Sequence, residues 1–272
     1  RDRLRSRGLG DVYKRQQRLC GLMRKAVQQY EMLAPGDRVL VGVSGGKDSV
    51  ALTIGLARLQ QYLGFPFEVV AVTLDPQFGG KPVDYSALEA LFRRYDVSYE
   101  VRRTLIGPIV FDYRNEKNPC SLCAKMRRGA LHAAAEELDC NKVALGHHLD
   151  DAIETFYMNL WREGRIGCFS PVTELSDRGL TLIRPLLLAT EQEVRCAVKE
   201  EGFPIVKSRC PADGVTTRED TKNFVRERCR TDRAFRQKTL HALQESGIDG
   251  WRPLHPARTS KKEDTAHADA RI

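Results

Sequence analysis

The sequence predicts an α/β fold: a mostly parallel, five-stranded sheet with helices on both faces, an added N-terminal helix and a C-terminal helical segment. Three observations predict it. Short β-branched apolar runs alternate with stretches of three- and four-residue apolar spacing, the pattern of a covered parallel sheet. A Gly-Gly turn, Ser44-Gly45-Gly46-Lys47-Asp48-Ser49, follows the first such run and opens a helical stretch. Residues that can do chemistry gather at the ends of the runs, where ligands of parallel sheets bind.

Leu19, Leu22, Met23, Ala26, Val27, Tyr30 and Leu33 share one helical face, and that helix ends before Pro35-Gly36. The first strand covers 38–43 and is followed by a helix from Ser49 to about Leu63. A second strand, 68–74, closes at Asp75-Pro76; a helix around 83–95 and a strand at 99–101 come next. Residues 105–119 read as irregular, rich in Pro, Asn and Gly. Then follow a helix over about 124–138, a strand at 142–146, a helix over 151–162, a strand at 180–184 and a helix over 191–201. Thr216-Thr217-Arg218-Glu219 fits a capping box that starts the late helix.

The two ends read differently. Residues 1–16 have neither period and are expected to be a disordered, non-native leader; 17–250 form one domain; 251–272, with Pro253, Pro256 and a charged run, read as a disordered polar tail. The formal charge of +8 shrinks accordingly. The leader holds six basic and two acidic residues, so the rest carries 38 basic against 34 acidic, a net +4. That balance still suits a polyanionic partner. No apolar run approaches the ~18 residues of a membrane span. A cytoplasmic chain without a membrane partner is expected, and in that compartment eight cysteines read as metal ligands, reactive thiols or core residues rather than disulfides.

A strand, a glycine turn and a helix start together make a phosphate site, because backbone N–H groups and the helix dipole point at the anion. Ser44, Gly45, Gly46 and Ser49 would cradle the phosphates, with Lys47 as the cation; Asp48 after the lysine excludes a Walker A loop. Asp75, Gly146 and His147 close neighbouring strands and join the expected nucleotide site. In Gly146-His147-His148-Leu149-Asp150-Asp151-Ala152-Ile153-Glu154-Thr155 the carboxylates fall one helical turn apart. They suit Mg²⁺ or, with histidine, zinc; an acid-rich helix start favoured by the dipole alone is the plainer reading.

Cys120-Ser121-Leu122-Cys123 has metal-ligand spacing, but no second such pair completes a zinc site. Cys210, in a turn-forming segment, would make a third thiolate. Three thiolates suit an iron–sulfur cluster with one open iron; a Cys120–Cys123 redox disulfide and an incomplete zinc site are rivals. Cys20, Cys140 and Cys196 read as core residues, while Cys168 in a loop is left open. Lys125, Arg127 and Arg128 follow the pair, and Lys222, Arg226, Arg228, Arg230, Arg233, Arg236 and Lys238 populate the late helix. Such a set is either a solvated basic face or an RNA surface.

Taken together, these residues resemble the tRNA 2-thiocytidine synthetases (tRNA-cytidine(32) 2-sulfurtransferases) of the PP-loop ATP pyrophosphatase superfamily, whose fold is adenine nucleotide alpha hydrolase-like. The likeness runs from about residue 17 to about 245, and Ile183-Arg184-Pro185-Leu186 and Phe203-Pro204-Ile205 add to it. It implies an ATP- and Mg²⁺-dependent sulfurtransferase with a [4Fe-4S] cluster on Cys120, Cys123 and Cys210. Such an enzyme adenylates the C2 oxygen of the anticodon-loop cytidine 32 and replaces it with sulfur. Lys47, Asp48, Asp150, Asp151 and Arg127 would then be catalytic, with Asp48 and Asp150 or Asp151 beside Mg²⁺. Lys125, Arg128, Arg226, Arg230 and Arg233 would hold tRNA. A cysteine desulfurase or other sulfide source is the implied partner, and a homodimer is compatible with these features. The best-known members often carry two cysteines around the third ligand; here Cys210 stands alone, with Cys229 as a rival. Lysidine synthetases share the loop without the cluster cysteines. Thiouridylases share the cluster but usually add terminal zinc-binding pairs, absent here. A nucleotide-binding iron–sulfur regulatory module is the third alternative.

Overall fold

The first strand, β1 (Arg38–Gly42), has only one residue type that is not apolar or Gly, and every interior position is buried. Such a strand belongs at the centre of a sheet covered on both faces. The computed structural model describes residues 17–80, 83–114, 119–212 and 218–255, so the leader, most of the tail and Thr216-Thr217 lie outside the described residues. In it β1 pairs in parallel with β2 (Glu68–Asp75) on one side and β4 (Lys142–Ala144) on the other. Beyond them lie β3 (Ser98–Arg103), parallel to β2, and β6 (Leu180–Ile183), parallel to β4.

A sixth strand, β5 (Val172–Leu175), runs antiparallel along β6 and completes the order β3-β2-β1-β4-β6-β5. The sequence predicted five strands. β5 was missed because four residues are too few to establish a period, and its pairing is made by the turn at Gly179, whose φ is 62°.

Alternation along the strands divides the core. Val39, Val41, Val69 and Ala71 face α1 (17–29), α2 (Lys47–Leu59), α3 (Ser86–Arg94), α5 (Leu149–Arg162) and α6 (Glu191–Glu201). Leu40, Val70, Val72, Val143, Leu180 and Leu182 face α4 (Pro119–Glu137), which contributes Ala134 and Ala135. Between α4 and the sheet lies a cavity, described below.

Three further boundaries differ from expectation. Helix α4 begins at Pro119, so Cys120 and Cys123 lie on its first two turns rather than ahead of it; Pro suits a first helical position because it has no N–H to leave unpaired. The stretch 105–119, expected to be irregular, contains a π-helical turn at Pro108–Tyr113. The late helix is two helices, α7 (Arg218–Thr231) and α8 (Phe235–Ser246), parted by a turn in which Ala234 donates its N–H to the Asp232 carboxylate at 2.8 Å.

The tail also starts later than expected. Trp251 is fully buried: its indole N–H donates to the Phe169 carbonyl at 2.9 Å, and its own carbonyl accepts from the Tyr30 hydroxyl at 3.0 Å. Leu254 donates to the Gln29 carbonyl at 2.9 Å. One large aromatic side chain outweighs several polar neighbours in burial free energy, so the segment to His255 packs onto α1.

Candidate active site

The turn after β1 folds on itself. Ser44 N–H donates to Ser49 Oγ at 3.2 Å, Gly46 N–H donates to Ser44 Oγ at 3.3 Å, and Ser49 Oγ donates to the Gly46 carbonyl at 2.9 Å. Gly45 has φ +84°, and a Cβ there would stand 2.8 Å from Val206 Cβ, so only glycine fits. Val206 N–H donates to the Gly45 carbonyl at 3.0 Å, which seats the segment that leads to Cys210 on the loop. Gly46 precedes the first turn of α2, leaving N–H groups at the helix start for an anion.

Lys47 Nζ lies 2.9 Å from Asp48 Oδ2 and 3.2 Å from Glu191 Oε1. Burial acts to lower its pKa, but the hydrogen bonds and charges of Asp48 and Glu191 prevail and hold it above the ordinary lysine value. Glu191 also faces Arg195 at 2.9 Å and Lys222 at 4.0 Å. Although burial works the other way, these cations draw its carboxyl down to about 2. Glu191 was not among the predicted site residues, and nothing local in the sequence links it to Lys47.

The acidic pair is more committed than the spacing implied. Asp150, 4% exposed, accepts from the Glu191 N–H at 2.7 Å and from Arg236 Nε at 2.7 Å. Asp151 accepts from the His148 N–H at 2.9 Å, and its own N–H donates to His148 Nδ1 at 3.2 Å, a reciprocal cap on α5. Of the carboxylates expected beside Mg²⁺, Asp150 and Asp151 are both engaged with protein groups. The two oxygens of Asp150 tie α5 to α6 and α8, and Arg236 belongs to that pair rather than to a free basic face. Asp48 is different: its Oδ1 is buried without a hydrogen bond, 3.8 Å from His148 Nε2. Such an orphaned carboxylate oxygen is chemically suited to a cation. Among the described residues no three His, Cys, Asp or Glu side chains already surround one point as metal ligands.

Of the predicted cysteines, Cys123 is within electrostatic reach of Cys120 and Cys210, but the three do not converge as metal ligands among the described residues. Burial pushes the Cys123 thiol up, Arg127 opposes this, and the charges of Cys210 and Cys120 add to the rise. Cys123 sits in an apolar cluster with Ile106 and Val110, and Cys120 is exposed. Cys229 lies elsewhere, under the influence of Arg236, Asp150 and Asp232. Cys168 is a core residue, 8% exposed, with its thiol directed at the Ala152 carbonyl at 3.4 Å and its pKa driven up to about 12 by burial.

Two cavities open beside Ser44. One, of about 140 Å³, is lined by Ser44, Gly46, Asp75, Phe78, Tyr85 and Arg127. Asp75 is 2% exposed, and burial with the Asp75 charge pushes the Tyr85 phenol up to about 12. The other, of about 570 Å³, lies under α4 and is lined by Ser44, Arg127, Arg128, His147, Phe169 and Arg184 among others. Ser44 and Arg127 line both. Gly146 adjoins Asp48, at 3.3 Å from the carbonyl carbon to a Cβ built there. Lys125 and Arg128 are exposed on α4; Arg226, Arg230 and Arg233 are exposed on or just after α7, and Arg226 faces Glu219 at 3.5 Å. No described helix is long and apolar enough to cross a membrane.

Comparison with known proteins agrees with this geometry. A family model described as a PP-loop domain matches residues 18–230. A tRNA-cytidine(32) 2-sulfurtransferase of Syntrophotalea carbinolica is 35% identical over 251 residues, 91% of this chain and 95% of that protein. One of Alkalilimnicola ehrlichii is 37% identical over 225 residues, covering 78% of this chain and 68% of the relative. Among solved structures, the U34-tRNA thiolase NcsA from Methanococcus maripaludis, determined with its [4Fe-4S] cluster, superposes with a TM-score of 0.67 at 22% identity, over 83% of this chain and 77% of that one.

Proposed function

Because this chain belongs to the PP-loop family, among the tRNA-cytidine(32) 2-sulfurtransferases, we propose that it uses ATP to thiolate cytidine 32 of tRNA. The observation that carries the reading is the position of Arg127. It lines both cavities with Ser44 of the phosphate loop and acts electrostatically on Cys123, which in turn feels Cys120 and Cys210. A phosphate loop and a cation thus adjoin a thiol that is electrostatically coupled to two others, which supports an activation and sulfur-transfer reaction.

The chemistry divides into two displacements. The C2 oxygen of cytosine attacks the α-phosphorus of ATP; an O–P bond forms, the bond to the bridging oxygen breaks, and pyrophosphate leaves. A sulfur nucleophile then adds at C2 and AMP departs with the former C2 oxygen. Backbone N–H groups of 44–47 and the Lys47 ammonium stabilise the charge that builds on the phosphates. Lys47 reaches them by exchanging Glu191 for the triphosphate. Asp48, through its unbonded oxygen, is the carboxylate that would hold Mg²⁺. Arg127 neutralises the AMP leaving group.

Cys120, Cys123 and Cys210 fit a [4Fe-4S] cluster in donor type, and the electrostatic influence of Cys120 and Cys210 on Cys123 supports the assignment. Held by three thiolates, such a cluster leaves one iron without a protein ligand and so supplies a place to carry sulfur. A cysteine desulfurase or another sulfide source would charge it, and Lys125, Arg128, Arg226, Arg230 and Arg233 would engage tRNA phosphates. The test is anaerobic purification with iron and sulfide analysis, followed by mass spectrometry of tRNA after incubation with ATP, Mg²⁺ and sulfide. Four irons per chain and 2-thiocytidine at position 32 are expected. A zinc-only protein, or tRNA left unthiolated by cluster-loaded protein, overturns the reading.

A further inference from the structure

The 570 Å³ cavity contains a cation that the proposed chemistry has not used. Arg184 is 7% exposed and has no carboxylate within ion-pair distance among the described residues. One terminal nitrogen donates to the Ser170 carbonyl and the Thr173 hydroxyl, while its Nε is buried with no hydrogen-bond partner. Its guanidinium lies 5.0 Å from the centre of the Phe169 ring, and that ring packs at 4.9 Å from the His147 imidazole. Burial pulls the Arg184 pKa down to about 10, which still leaves it charged at neutral pH. A buried, charged donor without a carboxylate costs stability unless a ligand or water completes it.

We propose that this cavity is the pocket for the target pyrimidine, with Arg184 reading the O2–N3 edge of cytosine and the Phe169 and His147 rings forming the wall beside the base. The proposal rests on the thiolation reading above and adds where the base sits and how it is chosen. Cytosine presents two adjacent acceptors, O2 and N3, to a donor fork. Uracil presents an N–H at position 3, which a guanidinium repels. Flipped or unpaired loop bases are commonly held this way, by stacking and by hydrogen bonds to the pairing edge. Adenine fits the cavity less well chemically, because it has no carbonyl oxygen for a cation. The smaller cavity offers Asp75 as an acceptor for the adenine amino group and Phe78 and Tyr85 as ring contacts. With adenosine on one side and the pyrimidine on the other, the α-phosphate and the C2 oxygen meet at Ser44 and Arg127, the polar residues common to both walls. A volume of about 570 Å³ is ample for a nucleotide.

Wild-type protein, loaded with its cluster, is irradiated with tRNA carrying 5-iodocytidine at position 32, and the cross-linked peptide is identified. A crosslink to Phe169 or His147 is expected; one confined to residues outside this cavity overturns the proposal. Labelling by 8-azido-ATP should fall on the Asp75–Tyr85 side, and label on Phe169 or its neighbours also overturns it. Arg184→Lys keeps the charge and loses the fork. It should lower kcat/KM for tRNA-dependent pyrophosphate release about 10- to 100-fold and narrow the preference for C32 over U32 tRNA, with the affinity for ATP unchanged. A folded Arg184→Lys protein with wild-type C32 preference refutes the role of Arg184. If wild-type protein releases no pyrophosphate with any tRNA, the thiolation reading falls, and the crosslink still decides whether the base enters this cavity.

Discussion

Replacing Glu191 by glutamine removes one negative charge from among three cations: Lys47 at 3.2 Å, Arg195 at 2.9 Å and Lys222 at 4.0 Å. Those cations lower the carboxyl from 4.5 to about 2, which at ~1.4 kcal/mol per pKa unit corresponds to about 3 kcal/mol. The group is partly open to water, and screening reduces that to roughly half, about 1.5 kcal/mol. The folded pKa is depressed, so the stabilisation is fully present above about pH 4.5 and is lost as pH falls toward 2. Urea denaturation at pH 7 should show Glu191→Gln less stable by about 1.5 kcal/mol, with the gap to wild type narrowing from pH 5 to pH 3. The same change frees Lys47 for phosphate and removes a charge that repels it. ATP should therefore bind roughly 10-fold more tightly by isothermal titration calorimetry, a gain of about 1.4 kcal/mol. Weaker or unchanged ATP affinity in a folded Glu191→Gln protein would refute the view that Glu191 holds Lys47 in reserve. A stability gap independent of pH would refute the electrostatic account of the carboxylate.

Lys47→Ala should cut tRNA-dependent pyrophosphate release by about 100-fold or more, the scale of losing one preorganised charge at a transition state, with circular dichroism unchanged; wild-type turnover would sink that assignment. Cys120→Ser, Cys123→Ser and Cys210→Ser should each lose iron and sulfide on anaerobic purification, whereas Cys229→Ser should retain both, and the reverse pattern would move the cluster. Charge reversal at Arg226, Arg230 and Arg233 together should weaken tRNA binding and reduce the salt slope by about two to three, measured by filter binding from 50 to 200 mM salt; an unaltered slope would exclude α7 from the RNA surface. Trp251→Ala should destabilise the protein by about 3–5 kcal/mol in urea denaturation, and a loss near zero would mean the segment after α8 is not part of the core.

The phosphate loop and the parallel sheet were legible in the sequence because both are local. A period of two or 3.6 records which face of an element meets the core, and Ser44–Ser49 form their hydrogen bonds within six residues of chain. The cysteine pair was equally local; its proposed third member was singled out by the turn-forming segment around Cys210, and the influence of Cys210 on Cys123 supports that choice. Other features depended on which distant elements pack together. Asp150 and Asp151 are adjacent and chemically alike, yet Asp150 turns inward to Arg236, 86 residues away, while Asp151 caps its own helix. Glu191 reaches Lys47 only because α6 packs against α2. Trp251 sits in a segment whose composition reads as tail, and its burial depends on a gap between Tyr30 and Phe169 that no local pattern records. Burial of a charge is stable only with the right partner. That partner is chosen by the tertiary packing, because an ion pair formed across a long loop is made affordable by the contacts that close the loop.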